Sequence, residues 1–172
     1  MTGRIADPGL WRAGHDRIEW ARTHMPVTTA LAARLSRDGT VAGVRIGVSD
    51  VLEPKTATVA LALAEAGAEV TVTSAGRNTD DAVAAALAQA GIPTYARAAA
   101  DRAEHRANAL ALLDHRPHVI VDDGASTIRL AHLERPDVVA GMLGATEQTT
   151  SGVRPLRRME AEGALRIPAV AA

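Results

Sequence analysis

The sequence has no cysteine and no phenylalanine, and Lys55 is the only lysine among 19 basic residues. Without cysteine, disulfides, thiolate catalysis and cysteine-ligated metals are excluded. No apolar run reaches the ~18 residues that a membrane-spanning helix needs, and the first residues lack a signal-peptide core. We therefore expect a cytoplasmic protein. The strong preference for arginine over lysine indicates a GC-rich bacterial genome.

Charge gives little indication of a macromolecular partner. The formal net charge is -1, and the charged residues, 23% of the chain, are well mixed. This balance gives no electrostatic reason to expect nucleic-acid or membrane binding. The six histidines have no metal-site spacing, so we predict no metal. A chain of 172 residues with 47% hydrophobic content suits one core, and we predict a single domain over residues 1–172.

Strand-like and helix-like segments alternate along the chain. Buried strands are predicted at 44–48, 69–73 and 118–122, and further strands at 93–96, 137–140 and 165–170. Helices are predicted at 11–37, 54–66, 79–90, 101–114 and 126–133, and from the polar segment 144–153 to about residue 163. Pro26 should kink or split the first helix, and Thr79 should cap the third. We predict an α/β fold of three layers, a mostly parallel sheet with helices on both faces, as in Rossmann-like and flavodoxin-like proteins.

Ligands of such folds bind beyond the carboxyl ends of the strands. Three polar segments are expected there, at 49–56, 122–126 and 146–151. In the last of these, amide and hydroxyl groups stand at a helix start, where backbone N–H groups face outward. This combination suits a ribose or an anion.

Motifs along nearly the whole chain carry a resemblance to one family. They are Asp7, Gly14, Ala21 and Met25-Pro26, then Gly67-Ala68-Glu69-Val70, Thr79, Asp81, Ala84-Ala85-Ala86, Ala90-Gly91-Ile92-Pro93, Val121-Asp122-Asp123-Gly124, the segment 147–153 and Ile167-Pro168-Ala169. In this order they resemble the substrate-binding part of S-adenosylhomocysteine hydrolase. The resemblance implies a nucleoside site in which Asp123 and Thr149 act on the sugar.

The chain also departs from that pattern. Val51 stands where the family has a histidine, Glu53 where it has a threonine, and Lys55 at the polar adenine contact. Gln148 replaces the second glutamate of the family's Glu-Glu-Thr-Thr-Thr-Gly-Val motif. The resemblance places a catalytic lysine and aspartate of the family beyond Ala169, and its nicotinamide-binding domain also follows this part. We therefore expect a short form that works without NAD and does not hydrolyse S-adenosylhomocysteine by itself.

A sulfonium changes the chemistry that such a site needs. In S-adenosylmethionine the sulfur is already an activated leaving group, so methylthioadenosine can leave without a redox step. Attack on the methionine γ-carbon by the carboxylate gives a lactone, and attack by an α-carbanion gives a cyclopropane amino acid. We therefore expect a cofactor-free lyase or cyclase with S-adenosylmethionine as ligand, or with S-adenosylhomocysteine in a binding role.

The catalytic candidates are Asp123, Lys55 and Glu53. Asp123 is a ligand acceptor or base, the alternative being a turn residue before Gly124. Lys55 is a partner for a substrate carboxylate or a base of lowered pKa, the alternative being a surface lysine. Glu53 and Asp50 are candidates for ion pairs with Lys55. Alternatively, one of them accepts a hydrogen bond from the adenine or ribose, or faces the sulfonium. Glu53 also suits a helix N-terminus.

The candidates for substrate binding are Asp50, Thr56, Glu147, Gln148 and Thr149. Gln148 cannot act as an acid or base, but it can bind a ribose hydroxyl. Thr149 suits both a helix N-cap and a ligand contact. Glu147 is either a contact or only a partner of the helix dipole, and Asp122 is expected to be structural.

Two readings from other functional classes remain open. One is a non-catalytic protein that binds S-adenosylhomocysteine or adenosine, and the other is a subunit that pairs with a separate NAD-domain protein. We predict a homodimer, because an apolar face that a second domain normally covers needs burial. Trp11 and Trp20 are expected to be packing anchors rather than a stacking platform for a base.

Overall fold

The computed structural model describes residues 3–172, except for the side chains of residues 76 and 77. Its strands are β1 (Gly3–Arg4), β2 (Arg45–Leu52), β3 (Glu69–Thr79), β4 (Thr94–Tyr95), β5 (Val119–Asp122), β6 (Gly144–Glu147) and β7 (Ala169–Ala171). Its helices are α1 (Trp11–Thr23), α2 (Pro26–Asp38), α3 (Pro54–Glu65), α4 (Asp81–Gln89), α5 (Arg102–Asp114), α6 (Ser126–Glu134), α7 (Pro136–Val139) and α8 (Thr150–Ala161), with a 3-10 turn at Pro8–Leu10.

The described strands form one sheet in the order β1-β4-β3-β2-β5-β6-β7, and all neighbours are parallel. Strand β2 shows that helices cover both faces. Ile46 and Val48 pack in a core that includes Ala57 and Ala60 of α3. Gly47, between them, turns to the other face, where a Cβ atom would meet Leu112 of α5 at 2.6 Å. The predicted three-layer α/β fold is therefore confirmed, and the single domain stays a prediction.

The sheet changes its direction of growth at β2. From β2 the chain builds β3 and β4 on one side, and it then returns to place β5 and β6 on the other side. The loops that follow β2 and β5 therefore lead to opposite sides of the sheet. In open α/β sheets this switch point is where a crevice forms and ligands bind.

Several predicted elements are right in kind but differ at their ends. The first helix is split, as Pro26 predicted, because Pro26 opens α2 after α1 ends at Thr23. The cap of α4 is Asp80 and not Thr79, since its Oδ1 accepts from the backbone N–H groups of Ala82 and Val83. Strand β3 runs to Thr79, and the last strand begins only at Ala169.

One predicted element is of the wrong type, and two strands were missed. The expected strand at 137–140 is the short helix α7, because Pro136 at its first position has a backbone suited to a helix start. The last helix, α8, begins within the polar segment as predicted, but strand β6 at the start of that segment was missed. Strand β1, at the edge of the sheet, is too short to give a periodic signal.

Several large apolar side chains remain at the surface. They include Val27 at 72% exposure and Leu31 at 53% on α2, with Leu133, Leu143 and Val170 elsewhere. Trp20 is 67% exposed, so the expectation that it is a packing anchor was wrong. The homodimer stays a prediction. None of the helices described within residues 3–172 is both long and apolar enough to cross a membrane.

Helices α1 and α4 pack so closely at Gly14 that only glycine fits. A Cβ atom at this position would lie 1.9 Å from the backbone oxygen of Ala82. We expect Gly14→Ala to lower the free energy of unfolding by about 1–3 kcal/mol, as overpacking does in other cores. Helix propensity alone gives the opposite sign, since alanine is favoured over glycine by about 1 kcal/mol. A rise in stability on urea denaturation would therefore contradict this packing.

Candidate functional site

The switch point holds a cleft of about 540 Å³. Its polar lining comes from the end of β2, the start of α3 and the β6–α8 loop. Its apolar lining comes from β2, α3, β5 and the break between α1 and α2. The polar lining residues are Asp50, Glu53, Lys55, Thr56 and Gln148. The structure thus brings five of the eight predicted site residues together around one cavity. The apolar lining includes Met25, Val48, Val51, Val59 and Val121.

Asp50 is the half-buried carboxylate of this cleft. Its Oδ1 accepts from the backbone N–H of Val51 at 2.6 Å and from the Gln148 amide at 2.8 Å. Burial raises its pKa, and the charges of Asp123 and Glu53 raise it further, while the two hydrogen bonds oppose the shift. The surroundings of Asp50 therefore disfavour its ionised form.

Asp123 follows β5 directly, and its backbone N–H donates to the carbonyl of Ser49 in β2 at 2.9 Å. This bond holds the β5–α6 turn against the end of the neighbouring strand. The charge of Asp123 acts on Asp50, so both carboxylates belong to the same edge of the sheet. Asp123 is half-buried, which leaves part of it open to solvent.

Glu53 and Lys55 form a pair at the start of α3. Glu53 is the N-cap of the helix, and its Oε1 accepts from the backbone N–H of Lys55 at 3.2 Å. The Lys55 Nζ lies 3.7 Å from the same oxygen. Both alternatives that treat Glu53 as a cap and as an ion-pair partner are therefore realised in the structure. The lysine side chain is 70% exposed, so its ammonium can move into the cleft.

Glu147 lies behind the cleft rather than in it. Its carboxylate is 1% exposed and accepts from the backbone N–H groups of Gly124, Ala125 and Thr149 and from the Thr149 hydroxyl. The prediction that Glu147 contacts the substrate is wrong, because protein donors already engage both oxygens. A Cβ atom at Gly152 would lie 2.3 Å from this carboxyl group, so the glycine of the motif is needed for space.

Thr149 and Gln148 have different partners. Thr149 is the N-cap of α8, since its Oγ1 accepts from the backbone N–H of Gly152 at 3.2 Å while its own hydroxyl donates to Glu147. Gln148 is exposed and reaches across to Asp50. The cap fixes the backbone at this corner, and the amide of Gln148 closes one side of the cleft.

Asp122 is structural, as the sequence indicated. It is fully buried, and its Oδ2 accepts from the backbone N–H groups of Thr127 and Ile128 at the start of α6. Burial raises its pKa to about 7, and the nearby charge of Glu147 adds to the rise, while the hydrogen bonds from the backbone of Ile128 and Thr127 oppose it. Its Oδ1 is buried without a hydrogen-bond partner among the described residues.

The apolar wall was not predicted from the sequence. Met25 reaches the cleft because the break between α1 and α2 turns it inward, and Val59 comes from the next turn of α3. Periodicity assigns such residues to a core and cannot show that they line a cavity. Among the described residues, no group of three or more metal-binding side chains forms a cluster that could hold a metal ion.

We predict that Glu147→Gln destabilises the fold. The amide carries no charge, and its NH₂ group would face backbone N–H donors, so buried hydrogen bonds are lost. We expect the free energy of unfolding to fall by about 1.5–3 kcal/mol, as for bonds to charged groups. The exposed Glu160→Gln in α8 is the matched control, with an expected change within about 0.5 kcal/mol. Equal effects of the two substitutions on urea denaturation would contradict the role of Glu147.

The raised pKa of Asp122 gives a pH dependence with a definite sign. Between its ordinary value of 3.8 and about 7, the folded chain holds this proton where the unfolded chain has lost it. The contribution of Asp122 to stability is therefore complete below about pH 4 and is lost as the pH rises to about 7. We expect the stability of Asp122→Asn relative to the unchanged protein to increase from pH 4 to pH 8. Urea denaturation at several pH values measures this, and a constant difference would refute it.

Comparison with known proteins agrees with this geometry. The sequence profile of the S-adenosyl-L-homocysteine hydrolase family matches residues 3–140. An S-inosyl-L-homocysteine hydrolase from Methanopyrus kandleri is 42% identical over 97% of the chain and 40% of that protein. An adenosylhomocysteinase from Thermotoga maritima is 39% identical over 92% of the chain and 40% of that protein.

The chain thus spans about 40% of the length of these curated relatives. Among solved structures, the A chain of dipicolinate synthase from Bacillus subtilis superposes with a TM-score of 0.50 at 16% identity, covering 91% of this chain and 47% of that one. At this identity the likeness concerns the fold alone. The profile match over residues 3–140, which is most of the chain, shows that this protein belongs to the S-adenosyl-L-homocysteine hydrolase family.

Proposed function

We propose that the cleft binds an S-adenosyl nucleoside, that it favours the cationic sulfonium S-adenosylmethionine, and that it promotes displacement at the methionine γ-carbon with release of methylthioadenosine. One observation carries the proposal. Three carboxylates, Asp50, Glu53 and Asp123, stand at this edge of the sheet against one amine, Lys55, which is already paired with Glu53.

Nucleoside binding is supported by family membership and by position. The cleft lies at the switch point of the sheet, where such folds bind ligands. Asp123, Gln148 and Thr149 stand at the family's sugar-binding positions, and Gln148 lines the cleft. An amide and a carboxylate are suitable partners for ribose hydroxyls. The apolar residues Met25, Val59 and Val121 offer a surface for the less polar parts of the ligand.

The preference for a sulfonium follows from charge. Burial and neighbouring carboxylates raise the pKa of Asp50, so a positive group beside it would stabilise its ionised form. The neutral sulfur of S-adenosylhomocysteine offers no such gain. Charge pairs near a protein surface are worth about 1–2 kcal/mol, between the limits for bulk water and for a partly desolvated site.

The reaction needs no redox step. The bond between the sulfonium and the γ-carbon breaks, and its electron pair returns to sulfur, which leaves as neutral methylthioadenosine. When the methionine carboxylate attacks, a lactone forms and no proton is transferred. Attack by the α-carbon would first need a strong base to take its proton and a group to hold the negative charge, so attack by the methionine carboxylate is the route that these residues support better. Val51 supplies no acid or base at the family's histidine position.

A second candidate is favoured by the names of the relatives. Several are S-inosyl-L-homocysteine hydrolases, and others are adenosylhomocysteinases. In this candidate, the cleft holds the neutral homocysteine nucleoside, as a binding protein or together with a part that carries NAD. Glu53 and Lys55 then contact the edge of the purine base. The names of some of these relatives specify an inosyl group in place of an adenosyl group.

The two candidates differ in the ligand that binds best and in turnover. We expect the protein to release methylthioadenosine from S-adenosylmethionine faster than the spontaneous background, and chromatography measures this release. In calorimetry, Asp50→Asn and Asp123→Asn should each weaken the binding of S-adenosylmethionine by roughly 5- to 20-fold. The binding of S-adenosylhomocysteine should weaken much less, because only S-adenosylmethionine is a cation. The exposed Asp38→Asn on α2 is the control and should change neither affinity.

The opposite pattern is equally clear. No release above background, with S-adenosylhomocysteine or S-inosylhomocysteine bound more tightly than S-adenosylmethionine, would refute the sulfonium reaction and favour the second candidate. Failure of all these nucleosides to bind would refute both.

A further inference from the structure

We propose that Trp20 is a specificity-determining residue that stacks on the purine base of the bound nucleoside. This inference rests on the proposed nucleoside site and adds to it a subsite on α1. Trp20 is not among the motif residues named above for the family resemblance. It lies near the break between α1 and α2.

Trp20 lies beside a second cavity, of about 640 Å³. Glu53, Lys55 and Met25 line both this cavity and the cleft at the switch point, so the two spaces adjoin. A ligand whose ribose lies near Asp50 and Gln148 can therefore extend past the start of α3 and reach α1.

The indole is held in place with one face open. His24 stacks on Trp20 with ring centroids 4.2 Å apart and an interplanar angle of 29°. The imidazole is itself fixed, since its Nδ1 lies 2.7 Å from the Trp20 carbonyl oxygen and 3.0 Å from the Thr23 hydroxyl. Although His24 covers one face, Trp20 is still 67% exposed, so the other face remains accessible.

The chemistry around this face matches a purine. An aromatic plane receives a base by stacking, which is worth about 1–3 kcal/mol per base in other proteins. Glu53 and Lys55 line the same cavity and supply an acceptor and a donor 3.7 Å apart. Side-by-side donor and acceptor groups are what the edge of a purine requires. His24 covers one face of the indole, and a stacked purine would cover the other.

The test uses the intact protein and methylthioadenosine, which is neutral and does not react. In Trp11→Phe, Trp20 is the only tryptophan, because the chain has two. We expect methylthioadenosine to quench its fluorescence, and methylthioribose, which lacks the base, to leave it unchanged. In calorimetry, Trp20→Ala should weaken the binding of methylthioadenosine by about 10- to 100-fold. Trp20→Phe keeps an aromatic plane and should weaken this binding by less than about fivefold.

Three results separate this inference from the function on which it rests. Unchanged binding of methylthioadenosine to Trp20→Ala would overturn the stacking role and leave the nucleoside site intact. A loss confined to S-adenosylmethionine would also overturn it, since the indole would then face the sulfonium and not the base. Failure of methylthioadenosine to bind the unchanged protein would overturn both proposals. Circular dichroism should show equal folding of the variants, because residue 20 is exposed.

Discussion

The arrangement of the cleft depends on the buried carboxylate of Glu147. Its two oxygens hold the turn after β5 through Gly124 and Ala125 and the cap of α8 through Thr149. A buried charge needs several donors to offset its loss of hydration, and here backbone groups from two loops supply them. Asp123 and Gln148, which flank these bonds, are thereby fixed at adjacent strand ends. Glu147, a predicted substrate contact, is instead the residue that positions the two loops around it.

The second constraint is the balance of charge at the open side of that frame. Asp122 and Glu147 are buried and serve the backbone, whereas Asp50, Glu53 and Asp123 are partly open. Burial raises the pKa of Asp50, and the charges of Asp123 and Glu53 add to the rise. A site of this kind gains more from a cation than from a neutral guest. In the proposed function, nucleoside binding rests on family membership, and the proposed preference for a sulfonium rests on these local charges.

Family membership and site chemistry therefore answer different questions. The profile match and the relatives at 42% and 39% identity establish descent, but the chain covers only about 40% of those relatives. The activities in their names belong to longer proteins, of which this chain covers only a part. The proposal for this chain is built on the positions at which it differs, Val51, Glu53, Lys55 and Gln148, and on the exposed Trp20. The dimer, the single domain and the site roles stay predictions.

The sequence alone determined the alternation of strands and helices, the parallel sheet and the family, because apolar runs, prolines and motifs are local signals. It also determined that 49–56, 122–126 and 146–151 lie at one edge of the sheet. It could not show that Glu147 turns inward, that α7 replaces a strand, or that Met25 and Trp20 face a cavity. Those depend on contacts between residues distant along the chain, such as Glu147 with Ala125. Only the tertiary structure decides which of several similar carboxylates is buried and which is left for a ligand, since burial is a property of the packed molecule and not of the segment.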